Sequence, residues 1–197
     1  MSINHGFSRH RRSKACVATF SAFEADLLRS LAGQLIELLR NEAATPNEAD
    51  DDDLEALLDF SGPTTAPEDP VLARMFPTAY PEDEEAAADF RRFTESSLRN
   101  GKAAAAGVVI DTLEEAGLPD EPEDGLFIDV ELDRTAAPIW LRSFTDMRLA
   151  IGTRLEVEDG DEDVWDAMPD DDPRSPVHDI YNWLGFLQET LVEALMR

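Results

Sequence analysis

Only one cysteine, Cys16, occurs in the 197 residues, so the chain can form no internal disulfide and no paired-cysteine metal site. That usage suits a reducing compartment, and we expect a cytoplasmic protein. Histidine is scarce too: His5, His10 and His178 stand apart, and no HExxH motif occurs. There is no serine elbow and no glycine-rich phosphate loop. Long apolar runs are missing. None approaches the roughly 18 residues of a bilayer span, and no apolar stretch of a signal peptide follows the basic start. We therefore expect no membrane association, no cofactor, no metal and no catalytic residue.

Cations are few. Seventeen Lys and Arg face 43 Asp and Glu, a formal net charge of -26. The imbalance is uneven, because Arg9, Arg11, Arg12 and Lys14 sit in a start that holds no acid. The rest carries a net -30. Phosphate backbones repel such a body, so nucleic-acid binding is expected to be weak and confined to this arm. Acidic runs invite a calcium reading, but an EF-hand loop needs alternating ligands around a central glycine. Asp159-Gly-Asp-Glu-Asp163 places its glycine wrongly, and Leu54 follows Asp50–Asp53. With carboxylates this abundant, no pair of them marks acid–base catalysis.

What is present is helical periodicity. We expect a mainly α fold: a single-domain helical bundle with a short two-stranded β ribbon. Residues 1–14 read as a flexible basic arm. Residues 15–197 read as the helical domain, with acidic loops at 42–67, 117–125 and 156–177. Cys16–Phe20 reads as a strand, and Ser21 with Glu24 forms a capping box for a helix to about Asn41. Phe23, Leu27, Leu31, Leu35 and Leu38 make its apolar stripe, widened by Leu28 and Leu39. A short helix is predicted over 69–76, and a long one over 82–116, with Phe90, Phe93, Gly101, Ala104 and Val108 on the lane where a neighbour would approach. Strand 126–132 leads into a helix over 135–155, repeating weakly the strand–cap–helix layout of 16–31. Two lone strands are poorly stable apart, so we pair them with each other. The last helix is predicted over 177–196, with a core stripe of Ile180, Leu184, Leu187, Leu191 and Leu195. Two apolar islands, 54–60 and Val164-Trp165 with Met168, lie within acidic sequence. Each reads equally as an interaction segment or as a patch that packs back on the body.

The helices 140–155 and 180–195 mix polar and large apolar residues. Asp146, Arg148, Thr153, Arg154, Trp183 and Gln188 are the candidate interaction residues or polar network. Arg148 borders the apolar face 140/144/147/151/155. An arginine there makes a structural ion pair or caps a carbonyl; the alternative is a site for a small anion or a partner carboxylate.

Four segments carry a resemblance: Asp69–Tyr80 (DPVLARMFPTAY), Glu85–Thr94 (EAAADFRRFT), Trp140–Leu155 (WLRSFTDMRLAIGTRL) and Tyr181–Leu191 (YNWLGFLQETL). In these the chain resembles the actinobacterial AosR-like family, long carried as a domain of unknown function. The last two segments are the specific part. The resemblance implies a non-enzymatic oxidative-stress transcription regulator that works with a sigma factor on cysteine-synthesis genes, and a paired-cysteine redox motif. With Cys16 alone, the internal switch does not carry over, and Cys16 is the one candidate redox residue. We read the chain as a cytoplasmic regulatory protein acting through protein contacts. The alternative is a direct DNA-binding regulator using Arg9, Arg11, Arg12 and Lys14.

Overall fold

Apolar and polar residues alternate in Cys16-Val-Ala-Thr-Phe-Ser21 and in Phe127-Ile-Asp-Val-Glu-Leu132, which suits strands with one wet face. The computed structural model describes residues 6–41, 62–169 and 171–197. It shows β1 (Ser8–Arg9), β2 (Cys16–Ser21) and β3 (Phe127–Leu132) in one antiparallel sheet, in the order β1-β2-β3. The pairs Cys16↔Leu132, Ala18↔Val130 and Phe20↔Ile128 all face the core. On the wet face, the Thr19 hydroxyl donates to Asp129 at 2.6 Å.

The helices are α1 (Ala22–Asn41), α2 (Pro70–Met75), α3 (Glu84–Glu115), α4 (Ala136–Leu155), the short α5 (Glu162–Asp166) and α6 (Ser175–Met196). The capping box forms as the sequence predicts. Glu24 Oε2 accepts from the Ser21 N–H at 2.8 Å, and the Glu24 N–H donates back to Ser21 Oγ at 3.2 Å. Asp69 caps α2 through the Val71 and Leu72 N–H groups, and Asp83 caps α3 through Ala86. Helix α1 packs on α3, α3 on α4, and α4 on α6. One contiguous apolar core runs through the sheet and these four helices.

Three expectations change. The two-stranded ribbon is a three-stranded sheet, because part of the basic start is folded rather than flexible. Ser8 pairs with Val17 and Arg9 with Cys16, and the Phe7 ring is buried. It stands edge-on to Phe20 and to Trp140, each at 5.9 Å between centroids. The buried face of α1 is Ala25, Leu28, Ala32, Leu35 and Leu39; Phe23, placed on the core stripe, is 55% exposed. Alanines at 25 and 32 leave a shallow face against which another helix can sit closely. The lane of α3 through Phe90 and Phe93 is likewise the outer one. Its inner face is Arg91, Glu95, Arg99, Ala106, Val109 and Leu113. Of the two apolar islands, 54–60 lies outside the described residues. In the other, Trp165 packs back while Val164 stays exposed.

Candidate interaction sites

The six polar candidates do not gather at one place. Arg148 on α4 and Gln188 on α6 meet: Arg148 Nη1 donates to Gln188 Oε1 at 3.1 Å, and Gln188 Nε2 donates to Thr145 Oγ1 at 2.8 Å. The Arg148 guanidinium also lies over the Tyr181 ring, 4.6 Å from its centre. Two glycines admit these groups. A Cβ at Gly185 would stand 3.2 Å from Arg148 Cζ, and one at Gly152 would stand 3.1 Å from Tyr181 Cε2. Behind Tyr181 the stack continues. His178 lies at 6.1 Å from it, Trp165 stacks on His178 at 4.4 Å, and Arg174 covers Trp165 at 5.6 Å. Planar groups from α4, α5 and α6 and the residue before α6 thus form a column. A desolvated cation over an aromatic face is worth about 2 kcal/mol or more, so the column helps to hold these helices together. The half-buried Arg148 guanidinium lies against α6, and its Nε is buried with no hydrogen-bond partner among the described residues.

Asp146 is buried on the other side of α4 and takes Lys102 Nζ of α3 at 2.6 Å. Arg154 reaches Asp69 Oδ2 at 2.5 Å and so ties α2 to the end of α4. Burial alone would push the Asp69 carboxyl up. Arg154 and the Val71 and Leu72 N–H groups outweigh it and hold that carboxyl below its usual range. Thr153 donates within its own helix to Leu149 O at 2.7 Å. Trp183 packs against the core edge.

The sequence reading missed a buried ladder on α3. Arg91 Nη1 pairs with Glu95 Oε2, and Arg99 Nη2 pairs with Glu95 Oε1 at 2.7 Å. All three side chains are at most 7% exposed. Arg91 Nη2 donates to Phe76 O at 3.1 Å, and Arg99 Nη1 donates to Leu39 O at 3.2 Å. Arg99 also lies over the Phe76 ring at 5.0 Å. The ladder therefore binds the ends of α1 and α2 to α3. Its signal was present as opposite charges four residues apart at 91, 95 and 99, a spacing that also describes a solvated face.

The outer side of α3 is apolar where it was expected to be covered. Phe93 is 75% exposed, and Phe90, Leu98 and Tyr80 are also exposed. Tyr80 meets Phe90 edge-on at 5.9 Å. Exposed acids crowd the nearby helix start: Glu82, Asp83, Glu84, Glu85 and Asp89.

The basic residues of the start form a hairpin. Arg11, Arg12 and Lys14 are exposed at its tip, closed by Lys14 N–H to His10 O and His10 N–H to Ala15 O. Arg9 is partly buried and donates Nη1 to Leu195 O at 3.2 Å. Cys16 is 2% exposed, and burial pushes its thiol up against the opposing pull of Arg9. Among the described residues, no group of three or more His, Cys, Asp or Glu could hold a metal ion, and no helix is long and apolar enough to cross a membrane.

Comparison with known proteins agrees with the resemblance. The family described as domain of unknown function DUF2017 matches residues 4–195. A putative oxidative stress regulator AosR of Mycobacterium leprae is 35% identical over 188 residues, covering 88% of this chain and 79% of that protein. The oxidative stress regulator AosR of Mycobacterium tuberculosis is 29% identical over 194 residues, covering 91% and 81%. No solved structure gives a significant match.

Proposed function

From the premise that the chain belongs to the DUF2017 family and is AosR-like, we propose that it is a regulatory protein that works through protein contacts and carries out no catalysis. The observation that carries this reading is the exposed aromatic face of α3. Contiguous apolar surface rimmed by charge marks interaction sites. Here acids rim the end near Tyr80 and Phe90, while Arg92 lies over the Phe93 ring at 5.6 Å, so the partner surface that fits is apolar with a basic border toward the helix start. The relatives' names support an oxidative-stress setting, and the sequence resemblance points to a sigma factor as the partner.

Phe93→Asp tests the face. The side chain is largely solvated, so thermal stability should shift by no more than about 0.5 kcal/mol. Affinity purification from the native cytoplasm should recover a partner with the parent chain and lose it with the variant. Recovery of the same partner by both would remove the α3 face from the reading.

The response to oxidant, on this reading, does not run through an internal disulfide. Cys16 is the only thiol, it is buried, and burial keeps it protonated. Mild peroxide should leave the assembly state unchanged, and Cys16→Ser should behave like the parent. Non-reducing gels with mass spectrometry check this; a Cys16-dependent covalent dimer at low oxidant would restore a redox-sensor role.

A second reading, direct DNA binding, rests on the exposed hairpin tip. Its contact would be weak and salt-sensitive, since the rest of the chain is strongly anionic.

A further inference from the structure

The hairpin between β1 and β2 leaves a cleft of about 370 Å³. Three cations line it, Arg9, Lys14 and Arg134, against one acid, Asp133. Leu132 and Leu195 add apolar wall, and Cys16 borders it from the sheet. The chain as a whole has a net charge of -26, so the cleft is a local reversal of sign. None of the three cations is neutralised by an ion pair among the described residues. Arg9 is held in place by Leu195 O, while its buried Nε meets no acceptor. Asp133 is occupied elsewhere. Its Oδ1 accepts from the Ala136 N–H at 2.7 Å and the Thr135 N–H at 2.8 Å, and these bonds hold the carboxyl below its usual range. It therefore stays ionised while capping α4.

We propose that this cleft binds a small oxyanion of the phosphate class. Arg9 is the prepositioned donor, because the hairpin and α6 fix its guanidinium. Lys14 and Arg134 stand exposed on the walls and supply the remaining charge. Guanidinium and ammonium groups together suit a multiply charged oxyanion, since charge-assisted hydrogen bonds are the strong ones. The apolar walls leave room for a small organic group attached to the phosphate. This site is independent of the α3 face, and neither requires the other.

The test uses the full chain labelled with ¹⁵N, titrated at constant ionic strength with inorganic phosphate, glycerol 3-phosphate or chloride. Both phosphates should shift the backbone amides of residues 9–16 and 132–135 to saturation, and chloride should not. Tighter binding of glycerol 3-phosphate would assign an organic phosphate; equal binding would assign phosphate itself. The double variant Lys14→Gln/Arg134→Gln alters only exposed side chains, and it should weaken binding about tenfold or more, or about 1.4 kcal/mol. Shifts that fail to saturate, that chloride reproduces, or that survive unchanged in the variant would overturn the proposal.

Discussion

Replacing Glu95 by alanine is expected to cost about 3–5 kcal/mol, the range for removing one partner from a buried ion pair. Glu95 is 2% exposed and its two carboxylate oxygens serve two arginines, Arg91 and Arg99. Without it, the two guanidinium groups one turn to either side lose the carboxylate they share, in a place where water cannot replace it. Arg91 also bonds the carbonyl of Phe76 and Arg99 that of Leu39, so the loss should loosen the ends of α2 and α1 as well. The contrasting variant replaces the whole ladder, Arg91→Met/Glu95→Leu/Arg99→Met. It removes all three charges together and should be neutral to about 4 kcal/mol more stable. Urea unfolding of the parent and both variants gives the comparison. A Glu95→Ala cost below about 1 kcal/mol would show that the ladder is solvated.

Phe7→Ala should cost about 3–5 kcal/mol, as for other buried aromatic truncations. The ring is 6% exposed and touches three aromatic side chains, Phe20, Trp140 and Phe144. Its N–H also donates to Thr190 Oγ1 of α6 at 3.0 Å. Truncating it opens a cavity among side chains from the sheet and α4. A double-mutant cycle with Trp140→Ala should return a coupling of about 0.5–1.5 kcal/mol for the edge-on pair. The exposed neighbours provide the control: Arg11→Gln and Arg12→Gln should leave the melting temperature unchanged. A Phe7→Ala chain that melts like the parent would mean that the basic start does not pack on the body.

Much of the architecture was legible in the residues. The capping box of Ser21 and Glu24 forms, and strands 16–21 and 127–132 pair. The face through Trp140, Phe144, Met147 and Leu155 is buried, as is that through Leu184, Leu187 and Leu191. In these two helices large apolar residues recur at helical spacing along one side, so amphipathicity names the inner face even though Phe186 and Val192 stand exposed off it. Helix α1 offered two overlapping stripes, and the choice between Phe23 and Leu28 was made by the partner. Ala25 and Ala32 admit a close neighbour that a face led by Phe23 would hold away. Strand β1 is only two residues long, and its anchor Phe7 lies among glycine, serine and arginine, so no periodicity marks it.

The polar sites divide along the same line. Arg148 and Gln188 are polar residues set beside apolar ones on their helices, and they meet across α4 and α6. Arg91, Glu95 and Arg99 did not, because charges four apart look the same on a wet helix and on a buried one. Local pattern is enough to specify elements, caps and the pairing of two strands, since these depend on neighbours within a few residues or on one alternating face. Which charges enter the core, which aromatic residues stay outside, and which cations converge on one cleft depend on groups distant in the chain. Their desolvation is set by what packs against them, and the tertiary structure alone decides that.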